Sequence, residues 1–305
     1  MNAQALERYR ELPVPDTTEE HWRFTDLRGF DTDRFTANGA ASVARPESML
    51  EIDVAGAAYV GEAGIEIERA PDGITFEPLD QAHKRLGELV GWKDDKFAAH
   101  NAAAWEHGLL VHVPKGVELD RPLYVRVANA VEGGSLFWRL LVIAEEGSRF
   151  SLVEEYASGS PSLAGYSNAV VELFVEQAAK LEYVSLQNLS QETWHFASHH
   201  GRVERDAQKT NAYQECRNLM LSPTTHAVPI PGLEILANDV RCTHGATVSR
   251  VDREQLFYLM ARGLPRAEAE RLIVRGFFQD VLDRIELEPV RAAVESALEA
   301  RIPQS

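Results

Sequence analysis

Between Leu109 and Cys216 the chain is a succession of short β-rich runs, "LLVHV", "LYVRVA", "LFWRLLVIA", "RFSLVEEY", "AVVELFV", "KLEYVSLQ", "WHFASHHGRV" and "KTNAYQEC". Nothing else in the sequence restricts the fold as strongly. The runs recur about every ten to fifteen residues and are joined by turn-forming pieces such as "KGVELD", "EGGS", "EEGS" and "SGSPS", the spacing of an all-β body. Sandwich, jelly roll and β-solenoid all satisfy the pattern, and no strict period singles out the solenoid.

The flanks have a different texture. The first hundred residues mix a short helix over "NAQALERYREL", a Pro-bounded loop, and apolar and acidic pieces such as "GAAYVGEAGIEIERA". Leu79, Ala82, Leu86 and Leu89 have helical spacing, and "DKFAAHNAAAWEHG" continues that helix to Gly108, giving an α+β cap. After Val248, Asp252 and Gln255 form a helix start and Gly263 a left-handed stop, Pro265 opens a second helix with Ile273, Phe277 and Val281 in phase, and Pro289 opens a third. The expected division is a cap over 1–105, a β core over 106–248 and a helical domain over 249–305.

Charge and composition remove several classes of function. With 31 Lys plus Arg against 47 Asp plus Glu, the formal charge is -16, which argues against a broad phosphate-binding surface and hence against nucleic acid. Neither an apolar leader nor a membrane-length apolar run occurs, so a cytoplasmic protein is expected. Cys216 and Cys242 are then expected to stay reduced. No Gly-rich phosphate loop, Gly-x-Ser-x-Gly or His-Glu-x-x-His is present.

Two places carry metal-ligating residue types. On a strand, residues two apart face the same way, so Cys242 and His244 in "NDVRCTHGATVSRV" would present a thiol and an imidazole side by side. Two ligands leave a metal site incomplete, and the remainder must come from another rung, another chain or a bound partner. The bland alternative is a buried thiol beside a hydrogen-bonded histidine. In "WHFASHH", His195 and His199 share a strand face; satisfied or exposed histidines are the first expectation there, and a cupin-like mononuclear metal enzyme using them with Cys242 or His244 is the rival. The run Leu256, Phe257, Tyr258, Leu259, Met260 is more apolar than one helix face needs, and either packs on the β body or docks a partner.

The stretch "LEILANDVRCTHGATVSRVDREQLFYLMARGL" followed by "AEAERLIVRGFF" resembles the C-terminal signature of the SufB/SufD family of iron–sulfur cluster assembly proteins, and "EEHWRFTDL" near the N-terminus is similar to a segment of its SufD branch. The resemblance implies a mainly β fold, a right-handed parallel β-helix core with an N-terminal α+β cap and a C-terminal helical domain. It implies a scaffold rather than an enzyme, paired with a SufB-like paralogue and docking a SufC-like ABC-type ATPase that would hydrolyse the ATP. Leu256, Phe257, Tyr258, Arg262, Phe277 and Phe278 become the expected docking residues. Cys242 and His244 become ligands of a transient iron–sulfur cluster or its iron at the subunit interface. Reduced flavin in the complex, a homodimer of the isolated chain, and a non-catalytic structural paralogue are further possibilities that it raises. Cys-x-His and Leu259 favour SufD over SufB. The chain is short for this family, in the cap and in the number of β rungs.

Overall fold

The computed structural model describes residues 2–37, 45–204, 210–220, 225–233 and 240–301. They form two compact units, residues 1–48 with 54–208, and residues 49–53 with 209–305.

The first unit is a parallel β-helix of about four turns. Its strands are β1 (Thr36–Ala37), β2 (Gly56–Gly61), β3 (Gly64–Arg69), β4 (Thr75–Pro78), β5 (His107–Val113), β6 (Leu123–Asn129), β7 (Gly134–Ala144), β8 (Arg149–Ser158), β9 (Gly165–Val175), β10 (Lys180–Asn188) and β11 (Thr193–Val203). From β5 onward the chain alternates between two sheets, so that β5, β7, β9 and β11 stack in parallel in one and β6, β8 and β10 in the other, with β2 beside β6. Gly134 pairs with Gly165, which pairs with Thr193, an offset of about 30 residues typical of solenoid repeats. At the opposite end the antiparallel strands β3 on β2 and β4 on β5 finish the two sheets.

Alternation decides what lies inside. Leu136, Trp138, Leu140, Val142 and Ala144 of β7 fill the solenoid together with Phe150, Leu152 and Tyr156 of β8. The other face of β7 is also covered, because Phe137, Leu141 and Ile143 pack with Leu79, Trp105, Tyr166 and Phe174, so "LFWRLLVIA" reads as one continuous apolar run. Helices α1 (Ala3–Glu11) and α2 (Lys96–Ala104) complete this unit, with Asn2 and Asp95 accepting the backbone N–H of Ala5 and Ala98 as N-caps. Trp22, from the N-terminal segment that resembles SufD, packs tilted against Phe97 of α2 and Phe196 of β11, at ring separations of 5.2 and 6.2 Å.

The helix expected over Leu79–Leu89 does not form; only Lys96–Ala104 is α-helical. The carboxylate of Glu172, 1% exposed, accepts the N–H groups of Gly87, Leu89 and Val90 at 2.8, 2.8 and 3.2 Å. Those donors are therefore not turned toward carbonyls four residues back, and Gly87 adopts φ 79°, a left-handed conformation that glycine reaches without strain. β2 is hydrogen-bonded into the solenoid sheet and β4 to β5, so the N-terminal segment shares the β-helix core.

The second unit holds β12 (Thr210–Met220), β13 (Val240–Arg250), α3 (Arg253–Ala261), α4 (Arg266–Leu282) and α5 (Glu288–Arg301). β12 and β13 are parallel and in register, Thr210 beside Val240. Asp252 caps α3 by accepting from Glu254 and Gln255 N–H, and Gly263 ends it at φ 94°. Val274, Leu282, Val290, Val294 and Ala297 are buried along α4 and α5, and Arg275 of α4 pairs with Glu295 of α5 at 2.6 Å.

Candidate functional site

The register of the β12–β13 pair sorts its side chains into two faces. Cys242 lies beside Ala212, His244 beside Gln214 and Ala246 beside Cys216, so Cys216, Cys242 and His244 belong to one face. Tyr213, Glu215 and Arg217 belong to the other, and α4 lies on it. Arg217 donates to the carbonyl of Phe277 at 2.7 Å and to Asp280 at 2.8 Å, and Arg284 sits 3.8 Å from the Tyr213 ring centre. Tyr213 and Arg217 also donate to Glu215 at 2.6 and 3.0 Å; the Tyr213 hydroxyl first, then Arg217, hold this carboxyl below its ordinary range. Opposite Glu215 stands Gly245, where an added Cβ would lie 2.7 Å from Glu215 Oε2. A side chain at 245 would require that carboxylate to shift.

The face with the thiols is thus turned from α4. Cys242 is half-buried and His244 exposed, and both cysteines are free thiols. Cys216, which sequence reasoning set aside, shares their face, but burial pushes its thiol pKa up and its sulfur accepts from Asn218 Nδ2 at 3.3 Å. Among the described residues β13 pairs only with β12, which leaves its other edge able to accept a further strand. Among the described residues no three His, Cys, Asp or Glu side chains converge on a metal-sized point, so Cys242 and His244 offer two donors and no complete cage.

The helical residues singled out by sequence divide sharply. Leu256 is 7% exposed and packs inward, whereas Phe257 and Tyr258 are 73% and 57% exposed. Arg262 is exposed with its guanidinium 5.1 Å from the Tyr258 ring centre, and Phe277 and Phe278 are half-buried and edge to face at 5.0 Å. Leu219, Phe257, Leu272, Ile273 and Phe277 line a groove of about 1210 Å³ between α3 and α4. Phe257 and Tyr258 thus form an exposed aromatic pair beside an apolar groove.

His195 and His199 point into the solenoid, beside Ser167 and Val171. They are neither satisfied nor exposed as expected: both ring nitrogens of His195 and Nε2 of His199 are covered and have no hydrogen-bond partner among the described residues. Burial pushes their pKa values down to about 3 and about 4, keeping the rings neutral. Glu154, also missed by sequence reasoning, is fully buried in the same interior. Its only sequence signal is phase, because it alternates with Phe150, Leu152 and Tyr156. No helix among the described residues is long and apolar enough to cross a membrane.

The core-domain model of the SufB and SufD proteins, "SUF system FeS cluster assembly, SufBD core domain", matches residues 126–208 and 200–277, spanning most of the β-helix, the β12–β13 pair and the start of the helices. The chain belongs to the SufBD family of iron–sulfur cluster assembly proteins. Within that family it is SufD-like. It is 25% identical to the iron–sulfur cluster assembly protein SufD of Bacillus subtilis over 99% of this chain and 93% of that protein. A SufBD family protein of Staphylococcus epidermidis is 26% identical over 76% of this chain and 69% of its own length, and a chloroplastic protein of Arabidopsis thaliana 23% over 92% and 81%. The alignment with the Bacillus protein runs over 408 residues, more than the 305 of this chain, so SufD-like relatives carry segments that it lacks.

Proposed function

We propose that this chain is the SufD-like scaffold subunit of a cluster assembly complex in the cytoplasm, pairing with a SufB-like subunit along β13 and docking a SufC-like ATPase on α3 and α4. The observation that carries the reading is the division of the second unit into two chemically distinct surfaces. One face of the β12–β13 pair presents Cys242 and His244 on a strand that pairs, among the described residues, with β12 alone; the other is covered by α4, beyond which Phe257 and Tyr258 stand exposed at an apolar groove. A thiolate and a neutral imidazole suit iron or a cluster edge, and a pair of donors is what one subunit contributes when its partner supplies the rest. In this reading iron and sulfide are cargo, held between subunits and passed on, and the energy of ATP enters through the partner. Reduced flavin, if the complex uses it as an electron source, would be a component of the assembled complex.

The test is anaerobic purification of the complex with Cys242→Ala, His244→Ala or Cys216→Ala. The first two should leave the subunits assembled and sharply reduce bound iron and sulfide, because water cannot take the place of a thiolate or imidazole ligand at similar affinity. Cys216→Ala should retain them. Equal cluster content in all three would make the pair a half-buried thiol beside a surface histidine. The rival metal enzyme draws on His195 and His199 of one unit and Cys242 or His244 of the other. It requires one tightly held metal and small-molecule turnover in the isolated chain.

A further inference from the structure

The interior of the solenoid changes character along its axis. Around β5 and β6 it is filled by Leu109, Val111, Val113, Leu123, Val125 and Val127, whereas towards β10 and β11 it holds a carboxylate, two phenols and two imidazoles. Tyr156 donates to Glu154 Oε1 at 2.8 Å, Tyr183 donates to Glu154 Oε2, and Trp138 Nε1 donates to Tyr156 at 3.1 Å. The His195 ring lies 4.6 Å from that of Tyr156, and the His199 ring stands edge-on to Tyr183 at 5.8 Å.

Two features of this group have no structural explanation. Among the described residues the contacts of Glu154 are hydroxyl groups and none is a cation, although burying a carboxylate without a counter-charge is costly; burial, only partly offset by these hydroxyls, pushes its pKa up to about 7. Both ring nitrogens of His195 and Nε2 of His199 are covered and unpartnered among the described residues, and orphaned buried polar atoms are rare enough in folded proteins to call for a ligand or another stated cause. Apolar residues would fill this space more stably.

We propose that Glu154, Tyr156 and Tyr183, flanked by His195 and His199, form a binding site for a hard, highly charged metal cation, with ferric iron as its best match, inside the last turns of the solenoid. Carboxylate and phenolate oxygens are donors for hard cations, imidazole also suits iron, and tyrosinate is an established iron ligand. The phenol protons of Tyr156 and Tyr183 now lie between their oxygens and the two carboxylate oxygens. A cation entering there displaces both to solvent, forms metal–oxygen bonds in place of two hydrogen bonds, and leaves its oxidation state unchanged. β10 and β11, unlike β7 and β9, are only partly buried among the described residues. The site is separate from Cys242 and His244 and does not depend on their role.

The experiment is titration of the full-length isolated chain with ferric nitrilotriacetate. One equivalent should bind with a visible tyrosinate-to-iron charge-transfer band, and affinity should rise with pH because protons are released. Tyr183→Phe and Glu154→Gln should each weaken binding at least tenfold and change or abolish the band, while Cys242→Ala and His244→Ala should leave it intact. Should Glu154→Gln not fold, Tyr183→Phe and Tyr156→Phe, which keep the aromatic packing, carry the test. Absence of the band at stoichiometric iron overturns the proposal. So does a band unchanged in both tyrosine variants, or one lost only with Cys242 or His244.

Discussion

Replacing Glu172 tests whether one buried carboxylate sets the path of the 80–91 segment. Its two oxygens accept three backbone N–H groups at 2.8–3.2 Å, and Oε2 lies 3.9 Å from the Arg139 guanidinium. Arg139 is 3% exposed and donates to Asn101 at 2.7 Å; burial lowers its pKa to about 10, with Glu172 pulling it back up. Glu172→Gln keeps the volume, removes the charge facing Arg139, and turns an NH₂ group toward at least one backbone N–H. Removing one partner of a buried pair costs about 3–5 kcal/mol, and a buried N–H left unsatisfied costs about 1–3 kcal/mol. Because these overlap, a loss near 4 kcal/mol is expected as an order of magnitude. Urea unfolding followed by tryptophan fluorescence reads it through Trp105 and Trp138, both buried in this unit. Adding Arg139→Met should recover part of the loss, since the uncompensated charge is then gone, and hydrogen exchange should show Gly87, Leu89 and Val90 exposed in either variant. A Glu172→Gln protein within about 1 kcal/mol of wild type, or one destabilised with those three amides as protected as before, would refute the assignment.

Two further outcomes follow from exposure and from ionisation. Phe257→Asp and Tyr258→Asp change exposed side chains, so the isolated chain should keep its unfolding midpoint while affinity for the ATPase falls by about 2 kcal/mol or more per aromatic anchor; surface plasmon resonance showing unchanged affinity in both would place docking elsewhere. Glu154 is raised to about 7 in the folded chain from an ordinary value near 4.5, so the folded state binds this proton more tightly and loses stability as pH rises through that window. The stability of Glu154→Gln minus that of wild type should therefore climb by about 3 kcal/mol from pH 4.5 to 7 and level off above it. Taking the difference cancels His195 and His199, whose depressed pKa values act in the opposite direction in both proteins, losing stability as pH falls below their ordinary range. A flat difference would mean that Glu154 ionises freely.

The strands were legible because local pattern determines them. Each run from "LLVHV" to "WHFASHHGRV" lies within one strand from β5 to β11, and the Asp252 cap, the Gly263 stop and the Pro265 and Pro289 starts all fall at the ends of α3, α4 and α5. The stacking of those strands was not legible from spacing. Gly134 to Gly165 and Gly165 to Thr193 are unequal steps, because the loops between strands differ in length, and unequal loops erase a period that the sheets themselves keep. It took the "RCTHGATVSRVDREQLFYLMARGL" resemblance to choose the β-helix. The mistaken helix at Leu79–Leu89 has a different cause. Its apolar spacing is real, but the donor groups of Gly87, Leu89 and Val90 are claimed by Glu172, more than eighty positions away, and no local rule anticipates a distant acceptor.

The same distinction between local and distant determinants governs the site. That Cys242 and His244 share a face follows from alternation alone. That Cys216 joins them depends on the pairing of Cys216 with Ala246, a fact of register, and register between strands joined by a long connection is not written in either strand. Phe257 and Leu256 are neighbours in an unbroken apolar run, so composition could not say which turns outward; the helix rotation set by the Asp252 cap does. Glu154 and Glu155 look equivalent in "RFSLVEEY", yet one accepts from Tyr156 and Tyr183 inside the solenoid and the other from Tyr124 on the opposite face at 2.6 Å. Strand parity separates them, and only the first is placed with unpartnered histidines. A carboxylate in phase with Leu152 and Tyr156 is therefore the sequence signal of an interior site in a chain like this, and the two adjacent glutamates, substituted separately, should behave as different chemical groups: Glu155→Gln should leave ferric binding intact, whereas Glu154→Gln should not.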